Sequence, residues 1–147
     1  MNKEDLMVND LLEKDCWVID FLPRQVPANS PGQFFNVENY LLDHYEEYGF
    51  KKRFTAVILK VLCYHKFTVH WGDWLEDPSP ALIAEAIETI LENHSGWLNI
   101  FLPEENTLLV FEWDCLNLAL YDPSPELLGL MEEIARSEGL FLWKSDI

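Results

Sequence analysis

The sequence is poor in glycine and lacks the short motifs that reveal nucleotide-binding sites and many hydrolases. Only six of its 147 residues are glycine, and none falls in a G-x-G-x-x-G, G-x-x-x-x-G-K or G-x-S-x-G pattern; H-E-x-x-H is absent too. Because there is no glycine-rich loop to hold a phosphate, we predict no cofactor. An enzyme is therefore the less favoured interpretation.

Cysteine is scarce as well. The chain has three cysteines, an odd number, with no Cys-x-x-Cys or Cys/His spacing. They are Cys16, Cys63 and Cys115. This pattern predicts neither a disulfide framework nor a zinc site. We interpret all three as small buried apolar residues in a reducing compartment.

The histidines lack the close spacing of metal ligands. His44 and His94 belong to separate predicted helices. His65 and His70 lie five residues apart near a strand and would point to opposite faces. We therefore predict no metal site.

Long apolar runs are missing. No window reaches the roughly 18 apolar residues of a membrane span. The opening stretch, MNKEDLMVNDLLEKD, mixes acidic and apolar residues and is unlike a secretory signal. We expect a cytoplasmic protein.

Basic residues are few. The chain has 10 Lys and Arg against 26 Asp and Glu, a net charge of −16, which disfavours contact with nucleic acid or an anionic membrane. Residues 73–147 contain 16 acids but only two bases, Arg136 and Lys144. A protein partner would therefore be basic. In composition, though in no motif, the chain resembles the small acidic immunity proteins that neutralise basic toxins, and this resemblance implies the same kind of partner.

What the sequence does contain is a repeated word. DPSP occurs at residues 77–80 and again at 122–125. In each copy the serine suits the cap of a helix N-terminus and the second proline suits the first helical position. Apolar residues at helical spacing follow both copies, until Gly96 and Gly139 end the pattern. The word is therefore predicted to start two helices.

Strand patterns surround both helices. KFTVHW precedes the first and WLNIFLP follows it; CLNLALY precedes the second and LFLW follows it. PEEN, at residues 103–106, joins WLNIFL to TLLVFEW as a hairpin. The order predicts an α+β, ferredoxin-like β-α-β-β-α-β sandwich over residues 64–147, with an antiparallel four-stranded sheet and both helices on one face.

The first 63 residues are predicted to be an extension packed on that core. Residues 5–13 suit a short helix, and CWVIDFL at residues 16–22 suits a strand that extends the sheet. Two helices are marked by apolar positions between residues 34 and 48 and between residues 50 and 62. No low-complexity linker interrupts the chain, so we predict one domain. The sheet face without helices predicts a homodimer unless these N-terminal helices cover it.

The first candidate binding surface is acidic. Glu85, Glu88 and Glu92 lie three and four residues apart and would form one ridge on the first DPSP helix. The alternative is the solvated side of an ordinary amphipathic helix.

The second candidate is a pair of carboxylates. Glu112 and Asp114 share the parity of Leu116 and Leu118 if the strand is regular, so they would face the apolar side with raised pKa values and form an acid/base pair. A break at Trp113 would instead leave both in water. Arg24, held between two prolines, would bind an anion or form an internal ion pair.

The third candidate is aromatic. Trp71, Trp74 and Trp97 would line a pocket or an interface, with Asp73, Glu76 and Asp77 around it, or would simply pack in the core and its rim. The sequence thus favours a small non-catalytic interaction protein, of immunity or adaptor type, that binds a basic protein or itself. The alternative is a small-molecule sensor or enzyme with a pocket between the sheet and the N-terminal helices, near Arg24, Glu112 and Asp114.

Overall fold

The computed structural model describes residues 3–27, 32–113 and 116–145 of the chain. These residues form five helices and seven strands. In chain order they are α1 (Lys3–Leu11), β1 (Cys16–Asp20), α2 (Gln33–Asp43), α3 (Phe50–Val61), β2 (Thr68–Trp71), β3 (Asp73–Glu76), α4 (Pro80–Asn93), β4 (Trp97–Leu102), β5 (Thr107–Glu112), β6 (Asn117–Tyr121), α5 (Pro125–Ser137) and β7 (Phe141–Lys144).

All seven strands belong to one sheet in the order β3-β2-β4-β5-β6-β1-β7, and each neighbouring pair is antiparallel. The α+β class is confirmed, whereas the ferredoxin-like topology is not. The sequence pattern led us to expect a core of four strands, because β3 was not recognised, β1 was treated as an extension of the sheet, and the stretch from TLLVFEW to CLNLALY was taken as one strand, which the structure divides into β5 and β6. The structure inserts β1 between β6 and β7.

The sheet contains two similar units side by side. β3 and β4 are both antiparallel to β2, so they run parallel to each other, with α4 as their connection. β6 and β7 flank β1 in the same way and are connected by α5. Each unit is thus a split β-α-β motif. In a ferredoxin-like sheet, the strand enclosed by each β-α-β unit belongs to the other unit. Here the enclosed strands, β2 and β1, belong to neither unit.

The repeated DPSP word has the same conformation twice. Asp77 and Asp122 are both left-handed, with φ of 43° and 59°, a region that Asp tolerates better than most residues. Ser79 and Ser124 are extended and cap α4 and α5: the Ser79 Oγ accepts from the Leu82 N–H at 3.2 Å, and the Ser124 Oγ accepts from the Leu127 N–H at 3.1 Å. The predicted start signal is confirmed at both places.

Two hydrophobic layers lie on the two faces of the sheet. Alternate residues of β4 and β5, among them Leu98, Ile100 and Phe111, point to the face covered by α3, α4 and α5. On the other face, Val8 and Leu11 of α1 pack with three sheet residues. Those three are Phe101, Leu108 and Val110. Because α1 is short, it covers only part of this second face.

The interpretation of the cysteines as buried residues is wrong for Cys63, which is exposed near the end of α3, and only partly right for Cys16, which is half-buried in β1. Burial raises the pKa of the Cys16 thiol. Cys115 lies outside the described residues.

Candidate functional site

A cleft of about 380 Å³ lies on the second face of the sheet, between α1 and the strands β2, β4 and β5. We call it the Trp97 cleft. It is lined by Asp5, Val8, Asn9, Leu12, His70, Trp97, Asn99, Val110 and Glu112. The wall is mostly apolar and the rim has two carboxylates, which is a common composition for a small-molecule site.

The strand register explains why these side chains meet. His70 of β2 is paired with Asn99 of β4, and Trp97 of β4 is paired with Glu112 of β5. Side chains at paired positions point to the same face. α1 packs over the Phe101 end of β4 and leaves the Trp97 end open, so Trp97 is 56% exposed.

Asn99 is the unusual residue of the cleft. It is the one polar residue within the buried run of β4, only 6% exposed, and it lines the cleft. Its side-chain amide makes no hydrogen bond to another residue in the described part of the chain. Because the amide lines the cleft and bonds to no other described residue, it is available to a ligand that enters the cleft.

The rim is held by an aromatic stack. The His70 and Trp74 rings are stacked with centroids 4.7 Å apart, and the Trp74 Nε1–H donates to the Asp5 Oδ1 at 3.4 Å. This contact fixes Asp5 of α1 against the sheet. The parts of the rim on α1 and on the sheet are therefore already in contact before a ligand binds.

A second cavity of about 410 Å³ adjoins the first, because His70 and Trp97 line both. Its other walls include Trp71 at the end of β2, the following Gly72, and Thr89, Ile90 and Asn93 near the end of α4. The C-terminal end of a helix carries a partial negative charge. No basic residue lies in the last turn of α4 to offset it.

A separate surface lies on α2 and the turn that follows it. None of the described residues of α2 is buried, although Leu41 and Leu42 pack against the main core. Its outer side exposes Val37 and Tyr40, and Tyr48 lies beside Tyr40 with ring centroids 6.0 Å apart. We call these three residues, with the neighbouring carboxylates, the acidic–aromatic surface. Those carboxylates are Asp43, Glu46, Glu47 and Glu92.

The tyrosines report the negative potential of this surface. The pKa of Tyr45 is raised by burial and then by the negative charges of Glu92, Glu46 and Glu88. The pKa of Tyr40 is raised first by its hydrogen bond with Tyr48, and Glu47 adds to the effect. A cation at this place would be attracted by several carboxylates at once.

The predicted ridge on α4 is divided among three environments. Glu85 is exposed. Glu88 forms an ion pair with Lys51 of α3 at 3.0 Å. Glu92 belongs to the acidic–aromatic surface. Most carboxylates of the acidic–aromatic surface therefore come from the end of α2 and the α2–α3 connection, and the ridge predicted from the sequence did not include them.

Of the two predicted carboxylates, Glu112 does not have the environment that a regular strand would give it. Glu112 ends β5 and points to the same face as Leu108 and Val110, opposite to Leu118 of β6. It is exposed at the rim of the Trp97 cleft. The expected common parity of Glu112 with the leucines is therefore wrong, because the stretch forms two antiparallel strands and not one; the alternative, a break at Trp113 that leaves Glu112 in water, agrees with its exposure. Asp114 lies outside the described residues.

Arg24 is exposed and forms no ion pair with another residue in the described ranges. It does not line the cleft. Of the predicted aromatic group, Trp71 and Trp97 line the second cavity together, while Trp74 contacts it only through His70. Asp73, like Glu76 and Asp77, is exposed and lines neither cavity.

One side-chain cluster has the composition of a catalytic triad but not its geometry. The Ser124 Oγ donates to the Glu105 Oε2 at 2.9 Å, and the His65 Nδ1 is 3.9 Å from the Glu105 Oε1. A hydrolytic triad needs the histidine between the serine and the acid. Here the glutamate is in the middle and the serine caps α5, so the cluster is structural.

Within residues 3–27, 32–113 and 116–145, no group of three His, Cys, Asp or Glu residues is arranged to hold a metal ion. The same part of the chain has no helix with the length and apolar character needed to cross a membrane.

No family model, curated protein or solved structure matches the chain.

Sequence reasoning missed the central residue of the cleft. Asn99 interrupts the apolar run WLNIFL, and a lone polar residue in such a run is a usable signal. Asp5 and Asn9 carried no comparable signal, because their role depends on which sheet face α1 covers.

Proposed function

We propose that the protein is a non-catalytic cytoplasmic interaction protein, of immunity or adaptor type, that binds a basic protein partner. The observation that supports this most is the acidic–aromatic surface. α2 and the turn that follows it expose Val37, Tyr40 and Tyr48, and four carboxylates line a cavity at the same turn. Exposed aromatic side chains provide contact area, and a surrounding negative potential selects and steers a cationic partner.

The net charge of −16 acts in the same direction over a longer distance. Long-range attraction speeds association, and it weakens when salt shortens the Debye length to about 8 Å at physiological ionic strength. Contacts with the tyrosines depend much less on salt. A basic partner should therefore associate more slowly as salt rises, with a smaller change in dissociation.

The test is affinity capture from the lysate of the source cell at low and moderate salt. The triple variant Glu46→Lys, Glu47→Lys and Glu92→Lys should lose the basic partner that the natural chain captures. The matched control is Glu76→Lys, Glu104→Lys and Glu133→Lys, which changes three exposed acids elsewhere and should retain the partner. Loss of the partner from both variants would show that only the net charge matters. Retention of the partner by both would refute the role of the acidic–aromatic surface in binding.

The Trp97 cleft favours a second candidate function, a small-molecule sensor. It lies between the sheet and an N-terminal helix and is lined by Glu112, as the alternative interpretation of the sequence expects, but without Arg24. The unpartnered amide of Asn99 is the specific observation in its favour. Binding of a small molecule there would not require the acidic–aromatic surface.

A further inference from the structure

We propose that the Trp97 cleft binds a small organic cation, an ammonium group on a short apolar chain. This inference deepens the second candidate function and is independent of the basic protein partner. It rests on three features of the cleft: its charge, the exposed side chain of Trp97 and the amide of Asn99.

The charge of the cleft selects a cation. Asp5 and Glu112 place two carboxylates at its rim, and the adjoining cavity ends at the C-terminal turn of α4, which has no basic residue. Among the described residues, no Lys or Arg lines either cavity. An anion would meet two carboxylates and the negative end of a helix there.

The indole of Trp97 provides a surface for both parts of such a ligand. It stands between the two cavities and is 56% exposed. A ring face attracts a cation within about 6 Å, and Trp is the best of the aromatic residues for this contact. The apolar chain of the ligand would lie against Val8, Leu12 and Val110 on the opposite side.

The amide of Asn99 explains why the ligand would be ordered rather than loosely attracted. Asn99 as a residue is only 6% exposed, its amide lines the cleft, and the amide has no partner among the described residues. Its oxygen can accept a hydrogen bond from an ammonium group. Because this residue is held in the buried run of β4, its amide is fixed in place at the wall of the cleft before a ligand binds.

The experiment is an NMR titration of the whole chain with butylammonium, with butanol and butyrate as neutral and anionic ligands of the same length. Butylammonium should shift the side-chain amide of Asn99 and the indole N–H of Trp97, with an affinity about tenfold above that of butanol. Butyrate should cause no saturable shift. Equal affinities for butylammonium and butanol would overturn the cation while leaving a small-molecule cleft. No saturable shift with any of the three would overturn the cleft itself.

Three variants locate the site. Trp97→Leu should weaken butylammonium binding about tenfold, and Glu112→Gln about fivefold. Trp113→Leu is the matched control, because Trp113 is also exposed but does not line the cleft; it should bind like the natural chain. Both Trp positions are at the surface, so the folded amide spectrum should be kept, which the same NMR data show. Unchanged affinity in Trp97→Leu would refute the assignment.

A final comparison separates a free ligand from a side chain of a protein. A peptide with a central lysine should bind no more tightly than butylammonium, since the cleft would hold only its ammonium and methylene groups. Binding more than about tenfold tighter would assign the cleft to a protein ligand, because contacts outside it would then add affinity, and would overturn the free cation.

Discussion

At the scale of single residues, the most informative group outside the two surfaces is Asp20, at the end of β1. It is only 7% exposed, and its Oδ1 accepts from the Phe21 N–H at 2.7 Å. Burial raises the pKa of Asp20 to about 6 from its ordinary 3.8, although hydrogen bonds from the Phe21 and Leu22 backbones act in the opposite direction. Between these two pH values, Asp20 is therefore protonated in the folded chain and ionised in the unfolded chain.

Asp20→Asn should stabilise the protein at neutral pH. Because the pKa is higher in the folded state, stability in the natural chain falls as the pH rises from about 4 to about 6 and stays lowered above this range. The full shift corresponds to about 3 kcal/mol. The amide oxygen of Asn can still accept the backbone hydrogen bonds. The gain in the free energy of unfolding should be about 2 kcal/mol at pH 7 and near zero at pH 4.

Urea unfolding of both chains at several pH values measures this difference. Asp73→Asn is the control, since Asp73 is exposed and its substitution should leave the pH dependence as it is. A gain from Asp20→Asn that is the same at pH 4 and pH 7 would show that the carboxyl is not the titrating group.

Two threonines form a second residue-scale test. The Thr55 hydroxyl of α3 is buried without a partner, whereas the Thr107 hydroxyl lies within hydrogen-bond distance of the carbonyl oxygens of Glu105 and Asp122, at 3.2 and 3.1 Å. Val has the shape of Thr without the hydroxyl. Thr55→Val should raise the free energy of unfolding by about 1 kcal/mol, and Thr107→Val should lower it by about 1–2 kcal/mol. Thermal or urea unfolding would decide, and a change of the same sign in both variants would contradict the hydrogen-bond explanation.

At the scale of elements, the two DPSP helices begin alike but are not equally connected to the rest of the molecule. Ser79 is exposed and only caps α4. Ser124 caps α5 and also donates to Glu105, in the turn between β4 and β5. The second copy of the word therefore joins a helix to a distant hairpin.

Ser124→Ala should consequently cost more than Ser79→Ala. The loss of a cap alone costs about 1 kcal/mol, which we expect for Ser79. For Ser124 the additional bond to a carboxylate raises the expected cost to about 2 kcal/mol. Chemical denaturation of both variants measures the costs, with Ser95→Ala as a control at an exposed loop position. Two equal costs would show that the bond to Glu105 adds nothing.

At the scale of the whole molecule, the net charge of −16 opposes the compact state. Only a few described ion pairs offset it, and of these Lys51–Glu88 and Lys60–Glu138 are within 3.0 Å. Repulsion among the remaining carboxylates acts over about 30 Å at 0.01 M salt but only about 8 Å at 0.15 M.

Salt should therefore stabilise the protein. Between these two concentrations of NaCl we expect the Tm to rise by about 3 °C, which corresponds to about 1 kcal/mol for a chain of this size. The control variant Glu76→Lys, Glu104→Lys and Glu133→Lys brings the net charge from −16 to −10, since each reversal adds two positive charges, and should show a smaller rise. Calorimetry measures both, and an unchanged or falling Tm of the natural chain would mean that its ion pairs outweigh the repulsion.

Assembly also belongs to this scale. α1 covers the part of the second sheet face around Phe101, while Trp97 and Phe141 on that face remain exposed. The expected homodimer stays a prediction. Light scattering at high concentration would test it, and a monomer there would mean that the cover by α1 suffices.

Local signals in the sequence determined the two DPSP helices, the hairpin at residues 103–106 and most of the strands. These features depend on interactions between residues a few positions apart. A serine cap, a proline at the first helical position and a period of apolar residues act wherever the segment lies in the molecule. The α+β class followed from them.

Tertiary structure alone decided the sheet order, the position of β1 and both candidate surfaces. β1 pairs with β6 and β7, about a hundred residues along the chain, and no local pattern encodes which strands become neighbours. The same holds for Asp5, Asn99 and Glu112, which meet only because α1 lies across one end of β4 and β5. A site formed from distant segments depends on packing between elements, and each segment alone carries no trace of its partners.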